Sequence, residues 1–155
     1  MDEKDINTLS AEKERGLDDL LIHQLYQTIR AFSKTLNSEI YTADVYSSEW
    51  SVLKMVKEHD MMSQLELANI LNVEPAAISK TIKKMEQKNL VERKRLRGKR
   101  EKYIFLSQHA LELYDFLEEK VSQHRLKALN GLSREERYTL FKLMRRIYHN
   151  TLGED

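Results

Sequence analysis

Few stretches of the chain restrict its fold as tightly as residues 63–106. Ser63 stands three places before Glu66, the S-x-x-E spacing in which a serine hydroxyl and a glutamate carboxylate satisfy each other's backbone N–H groups, so a helix opens there. Leu65, Leu67, Ala68 and Leu71 give this short helix its apolar side. Asn72 tolerates the left-handed backbone that a tight turn demands. Pro75, the single proline of the chain, suits a first helical position, where its missing N–H would have no partner anyway, and a second helix runs on to about Lys88. Asn89 is suited to end that helix in the left-handed conformation. Beyond it, the β-prone stretches 90–95 and 102–106 flank Gly98, which predicts a small hairpin with a charged tip.

Two short helices joined by a tight turn and followed by a hairpin make a winged helix-turn-helix. The flanking sequence is predicted helical. Leu17, Leu20, Leu21, Leu25, Ile29, Phe32, Leu36 and Ile40 recur at three- and four-residue steps, which predicts one long amphipathic helix over 17–41. Ser47 or Ser48 can cap a helix that carries Trp50, Leu53, Met55 and Val56 and ends near His59. After the hairpin, Ala110, Leu111, Leu113, Tyr114, Leu117, Val121, Leu126 and Leu129 mark another helix. A second S-x-x-E pair, Ser133 with Glu136, opens the last one, striped by Leu140, Leu143, Met144, Ile147 and Tyr148. One proline and four glycines in 155 residues leave little room for loop-rich or extended β architectures. The expected fold is mainly α with a small β-hairpin wing. It is expected as a single domain over 1–155, with its winged helix-turn-helix in 47–106, and a chain of this length buries about 70% of its unfolded surface.

Charge is distributed unevenly over this framework. The formal total is only +1, yet residues 80–102 hold eleven Lys or Arg against three acids, a net of +8. Residues 1–79 carry seven basic and fourteen acidic residues, and residues 103–155 balance at eight each. A field focused in this way speaks about partners, and duplex phosphates are the natural one. On the second helix Ile78, Ile82 and Met85 share one face, while Ala76, Lys80, Lys83, Lys84 and Gln87 share the opposite one, with Ser79 on its flank. A helix anchored on one side and basic on the other suits the major groove, where lysines reach phosphates or guanine acceptors and Ala76 allows close approach. The Ser63 helix would cross the backbone, and the hairpin tip would reach the neighbouring backbone or minor groove. The predicted DNA-binding set is therefore Ser63, Gln64, Pro75, Ala76, Ser79, Lys80, Lys83, Lys84, Arg93, Arg95, Arg97, Lys99, Arg100 and Lys102. The competing reading is an ordinary solvated face. The coincidence of the charge run with a turn, two capped helices and a hairpin weighs against it.

Other function classes find little support. There is no cysteine, so disulfides, thiol catalysis and Cys-ligated zinc are excluded. The histidines, His23, His59, His109, His124 and His149, form no pair at i, i+4 and no HExxH motif, so no metal is expected. No nucleophile elbow, P-loop or dinucleotide loop appears, and neither an enzyme nor a cofactor is expected. The longest uninterrupted apolar run is four residues, Tyr103 to Leu106, too short to span a bilayer. The acidic start, MDEKD, is unlike a secretory signal, and the expected location is the cytoplasm.

The stretch SQLELANILNVEPAAISKTIKKMEQKNLVER resembles the recognition unit of the MarR-type transcriptional regulators. Leu67-Ala68, Ser79, Met85-Glu86 and Leu90-Val91-Glu92-Arg93 fall where that family's pattern expects them, and the flanking helices extend the resemblance over about residues 17–152. The wing departs from the pattern. Where the family usually carries D-x-R, Gly98 replaces the acid and Arg100 keeps the arginine. Ala110 and Asn89 stand where glycines are usual. The resemblance implies a homodimer built from the helices in 17–41 and 107–152, acting as a sequence-specific regulator, a repressor, on a palindromic operator in double-stranded DNA. The alternatives are a non-specific nucleoid-type DNA binder and a winged helix used as a protein-interaction module. The resemblance also implies a small lipophilic, commonly phenolic effector, for which His23, Tyr26, Arg30, Tyr46 and Trp50 are the candidate contacts. Against this, Tyr26 and Trp50 read as core aromatics and His23 as an interface residue, and the sequence leans slightly that way.

Overall fold

The structure, a computed structural model, describes residues 16–153; the acidic start lies outside them. The chain divides into two compact units, the first ending at Val121 and the second beginning at Ser122.

The first unit opens with α1, Leu17–Ile40, which passes through a short 3-10 turn, Tyr41–Ala43, into α2, Ser47–His59. A two-residue strand β1, Met62–Ser63, leads into α3, Gln64–Ile70, and α4, Pro75–Gln87. Strands β2, Val91–Arg95, and β3, Lys102–Leu106, follow, and α5, Gln108–Ala128, starts immediately after them. The sheet is antiparallel in the order β1-β3-β2, with Met62 opposite Ile104 and Val91 opposite Leu106. The predicted hairpin is thus the larger part of a three-stranded sheet. Two residues are too few to show the alternation by which a strand is read, so β1 left no pattern.

The core is continuous through this unit. Ile40, Val52, Leu53, Val56, Leu67, Ile82, Met85, Ile104 and Leu117 are fully enclosed. Both asparagines singled out in the sequence take the left-handed conformation, Asn72 at φ 49° and Asn89 at φ 56°. Each ends a helix in the same way. Asn72 and Val73 donate to the carbonyls of Asn69 and Ala68, and Asn89 and Leu90 donate to those of Glu86 and Met85. These are the paired bonds of a Schellman motif, which satisfy carbonyls the helix end would otherwise leave open.

The start of α2 differs from expectation. Its N-cap is Tyr46, and neither Ser47 nor Ser48 takes that role. The Tyr46 N–H donates to the Glu49 carboxylate at 3.0 Å, and the Ser47 N–H donates to Asn37 Oδ1 of α1 at 2.6 Å. A side chain ten residues back therefore does part of the capping. Ser107, unremarked in the sequence, caps α5: it is buried, its hydroxyl accepts the Ala110 N–H at 3.0 Å, and the hydroxyl donates to the Asn89 carbonyl at 2.6 Å.

The second unit contains the end of α5 and α6, Arg134–Leu152. The Ser133–Glu136 capping box forms as its spacing predicts. Arg137 fastens the turn before α6 by donating to the carbonyls of Leu129 and Leu132. No residue of α6 is buried.

Candidate nucleic-acid interface

The surface that carries the charge is built around α4. Ile78, Ile82 and Met85 turn inward and are almost wholly buried, which fixes the helix about its long axis. Ala76, Lys80, Lys83, Lys84 and Gln87 are left on the exposed side, with Ser79 half-buried on the flank. The Schellman turn at Asn72 sets the start of α4 relative to α3, and Pro75 occupies the first helical position as read from the sequence.

The wing adds the second part. Residues 96–101 connect β2 to β3, and a turn closes by a bond from the Lys99 N–H to the Leu96 carbonyl at 3.1 Å. Gly98 sits at its third position with φ 77°, a conformation that a type II turn requires there and that glycine adopts without a Cβ penalty. An aspartate at this point, as in the family's D-x-R pattern, would have to accept that strained backbone. Arg95, Arg97, Lys99, Arg100 and Lys102 are all exposed around the turn.

Three of the basic residues in 80–102 have acidic partners within the protein. Arg93 is half-buried and its Nε lies 3.0 Å from Glu86 Oε1, so it braces β2 against α4. Lys94 pairs with Glu92 at 2.7 Å and covers the Phe105 ring. Lys88, at the C-cap of α4, is drawn back toward Glu49 and Asp44. Among the described residues the other eight, Lys80, Lys83, Lys84, Arg95, Arg97, Lys99, Arg100 and Lys102, are exposed and make no ion pair. A cationic surface of this kind is set up to meet an anionic polymer.

Ser63 and Gln64 are placed differently from that group. Ser63 is buried, its hydroxyl accepts the Glu66 N–H at 3.3 Å, and its own N–H donates to the Glu66 carboxylate at 2.7 Å. Those hydrogen bonds, from the Ser63 backbone first and its hydroxyl second, hold the Glu66 carboxyl below the usual carboxylate value. Ser63 thus shapes the entry to α3, while the half-buried Gln64 is the first residue of that helix.

Of the five effector candidates, three lie on α1, one at the N-cap of α2 and one within α2. His23, Tyr26 and Arg30 are exposed on α1, with the Arg30 guanidinium 6.0 Å from the Tyr26 ring centre. Trp50 is buried and stacks obliquely on Tyr114 at 5.1 Å, and among the described residues its indole N–H has no hydrogen-bond partner. Tyr46 is exposed and borders a cleft of about 470 Å³ with Asn37, Ser48, Thr81 and Lys84, a cleft that none of the other four candidates lines. Tyr114 is absent from the set read from the sequence, because no local spacing links it to Trp50, 64 residues earlier.

A recognition helix, a tight turn and a basic wing of this geometry define the winged helix-turn-helix class of DNA-binding fold. The MarR family profile matches residues 45–101. The chain is 32% identical over 125 residues, which cover 81% of it and 91% of the relative, to the uncharacterized HTH-type transcriptional regulator YwoH of Bacillus subtilis. The protein belongs to the MarR family of transcriptional regulators, which are DNA-binding regulators and not enzymes. Its fold also matches the organohalide-sensing regulator RdhR, with a TM-score of 0.82 at 19% identity over 89% of this chain and 83% of that one. It matches a cysteine-to-serine mutant of MarR from E. coli in complex with operator DNA, with a TM-score of 0.77 at 18% identity over 86% of this chain and 99% of that one. Among the described residues no helix is long and apolar enough to cross a membrane.

Proposed function

We propose that the protein is a homodimeric, sequence-specific transcriptional repressor that reads a palindromic operator, one half-site per protomer. The observation that carries this reading is the exposed face of α4, where Lys80, Lys83 and Lys84 share a side with Ala76 and, among the described residues, make no ion pair. Placed in a major groove, Lys80 or Lys83 would reach base edges as well as phosphate, with Ser79, Gln64 and Pro75 at the border of the contact. The wing cations would meet the flanking backbone, and Arg100 the minor groove. Arg93 then serves as a brace and Ser63 as a cap, each acting on DNA through the element it holds. The operator-bound MarR of E. coli, similar in fold, supports DNA as the partner.

Dimerisation draws support from apolar surface left open on single helices. On α1, Leu17, Leu21, Ile22, Tyr26 and Ile29 are each 44–64% exposed, and on α6 so are Tyr138, Leu140, Phe141, Leu143, Met144 and Tyr148. Leucines that merely completed a monomer's core would be buried, and contiguous apolar surface of this kind marks an interface. The two helix ranges proposed to build it are 17–41 and 107–152. A small lipophilic ligand releases the DNA in this reading. RdhR, whose fold is similar, has been crystallised with 2,4-dichlorophenol, and the indole N–H of Trp50, without a partner among the described residues, is a donor that such a ligand could use. Selection of bound duplexes from a random library tests the proposal. An inverted repeat with half-sites about one helical turn apart is expected. Enrichment of no sequence, or of a single unrepeated site, would overturn it in favour of non-specific or monomeric binding.

A further inference from the structure

Lys88 lies inside the basic segment, but its ammonium group faces into the protein. Its Nζ is 2.8 Å from the Asp44 carbonyl, 3.0 Å from Glu49 Oε2 and 3.4 Å from Asp44 Oδ1, and it sits 4.7 Å from the centre of the Tyr46 ring. Three oxygens and an aromatic face account for all that an ammonium group can engage. Glu49 is only 3% exposed, so its carboxylate depends on this cation and on the Tyr46 N–H, which it also accepts. Burial alone would pull the lysine down, but Glu49 and then Asp44 hold it above its ordinary value, and it stays charged.

The position of this cluster gives it a consequence. Lys88 is the C-cap of α4. Asp44 ends the turn between α1 and α2 in the left-handed conformation, at φ 53°, and Tyr46 caps α2. In the same elbow Asn37 of α1 holds the Ser47 N–H. The far end of the recognition helix is therefore tied, through one side chain, to the elbow that directly follows α1. Its near end is set by the turn at Asn72, and between the two it is held by the apolar contacts of Ile78, Ile82 and Met85 and by the Arg93–Glu86 ion pair from β2. Apolar contacts are non-directional and leave a helix some freedom to pivot, whereas a charged, hydrogen-bonded node fixes an end in place.

We propose that Lys88 is a positioning residue for operator recognition: by pinning the end of α4 to the α1–α2 elbow through Asp44 and Glu49, it sets the spacing between half-sites that the dimer accepts. The inference rests on the dimeric, operator-binding reading above. Lys88 itself does not touch the DNA. It acts on the angle at which α4 leaves the elbow. A dimer whose recognition helices are held rigidly engages both half-sites at one spacing, and one whose helices pivot tolerates several and gains less from the second half-site.

The test uses a palindromic duplex selected by the full-length protein, versions with one base pair added or removed between half-sites, and a duplex with one half-site. Lys88→Met combined with Glu49→Gln removes both charges, so no buried carboxylate is left unpaired. The double variant should bind the single half-site within about twofold of the parent while losing about tenfold on the palindrome and discriminating less among spacings. Its salt slope on the single half-site should match that of the parent. Equal losses on half-site and palindrome with a shallower slope would make Lys88 a phosphate contact and overturn the proposal. Unchanged binding and spacing preference would overturn it as well. Glu49→Gln alone, which keeps the side-chain volume, should show the same pattern in weaker form and serves if the double variant does not fold. Failure of the unsubstituted protein to prefer any palindrome would instead sink the operator reading itself.

Discussion

Ser63 and Glu66 illustrate how a local spacing becomes stability. The carboxylate of Glu66 accepts the Ser63 N–H, and the Ser63 hydroxyl accepts the Glu66 N–H. Replacing Ser63 with Ala should destabilise the fold by about 1 kcal/mol, measured by urea unfolding, because an orphan helix N–H loses its acceptor. The Glu66 carboxyl is held below 4.5 by those bonds. Its contribution is therefore present above the unfolded-state value and is lost as pH falls through the lower folded-state value. Glu66→Gln should flatten the acid limb of stability below the ordinary carboxylate value, and an unchanged limb would contradict the assignment. Such boxes were legible because both partners lie three residues apart. Lys88 was not, because its partners Glu49 and Asp44 stand 39 and 44 residues away. In sequence it was one more lysine in a basic run.

At the level of elements, helices announced themselves by apolar period and caps, and α4 and β3 have the expected identities because Pro75, Asn89 and the YIFL run punctuate them. What went unread were features made by contact between elements: β1, which exists only through its pairing with β3, and the capping of α2 by Asn37 from α1. The recognition helix and the wing should respond differently to mutation. Lys80→Ala or Lys83→Ala should cost about 1–3 kcal/mol on the operator and relax base preference there. Arg97→Ala or Lys99→Ala should weaken operator and scrambled duplex alike, lowering the salt slope by about one for each phosphate no longer neutralised. Binding isotherms on both duplexes across a salt series measure this. If wing variants were impaired only in specific binding, while α4 variants were impaired equally on both duplexes, the two roles would be reversed.

The whole molecule shows a MarR-family fold with apolar surface left open on α1 and α6. The apolar stripes of these helices were visible in the sequence, but periodicity cannot tell a core face from an interface, since both are apolar stripes. Deleting residues 1–24 removes Leu17, Leu21 and Ile22 and should yield monomers in sedimentation, with operator binding much weakened. A truncated protein that sediments as a dimer and binds normally would remove α1 from the interface. The central claim, that the exposed cations of α4 and the wing read a specific duplex, is tested most directly by titrating the full-length protein against its selected palindrome and a scrambled duplex of equal length as salt is raised. The account predicts that both affinities fall with salt while the palindrome stays at least about a thousandfold tighter, as base contacts add to phosphate contacts. Equal affinities at every salt concentration would contradict it.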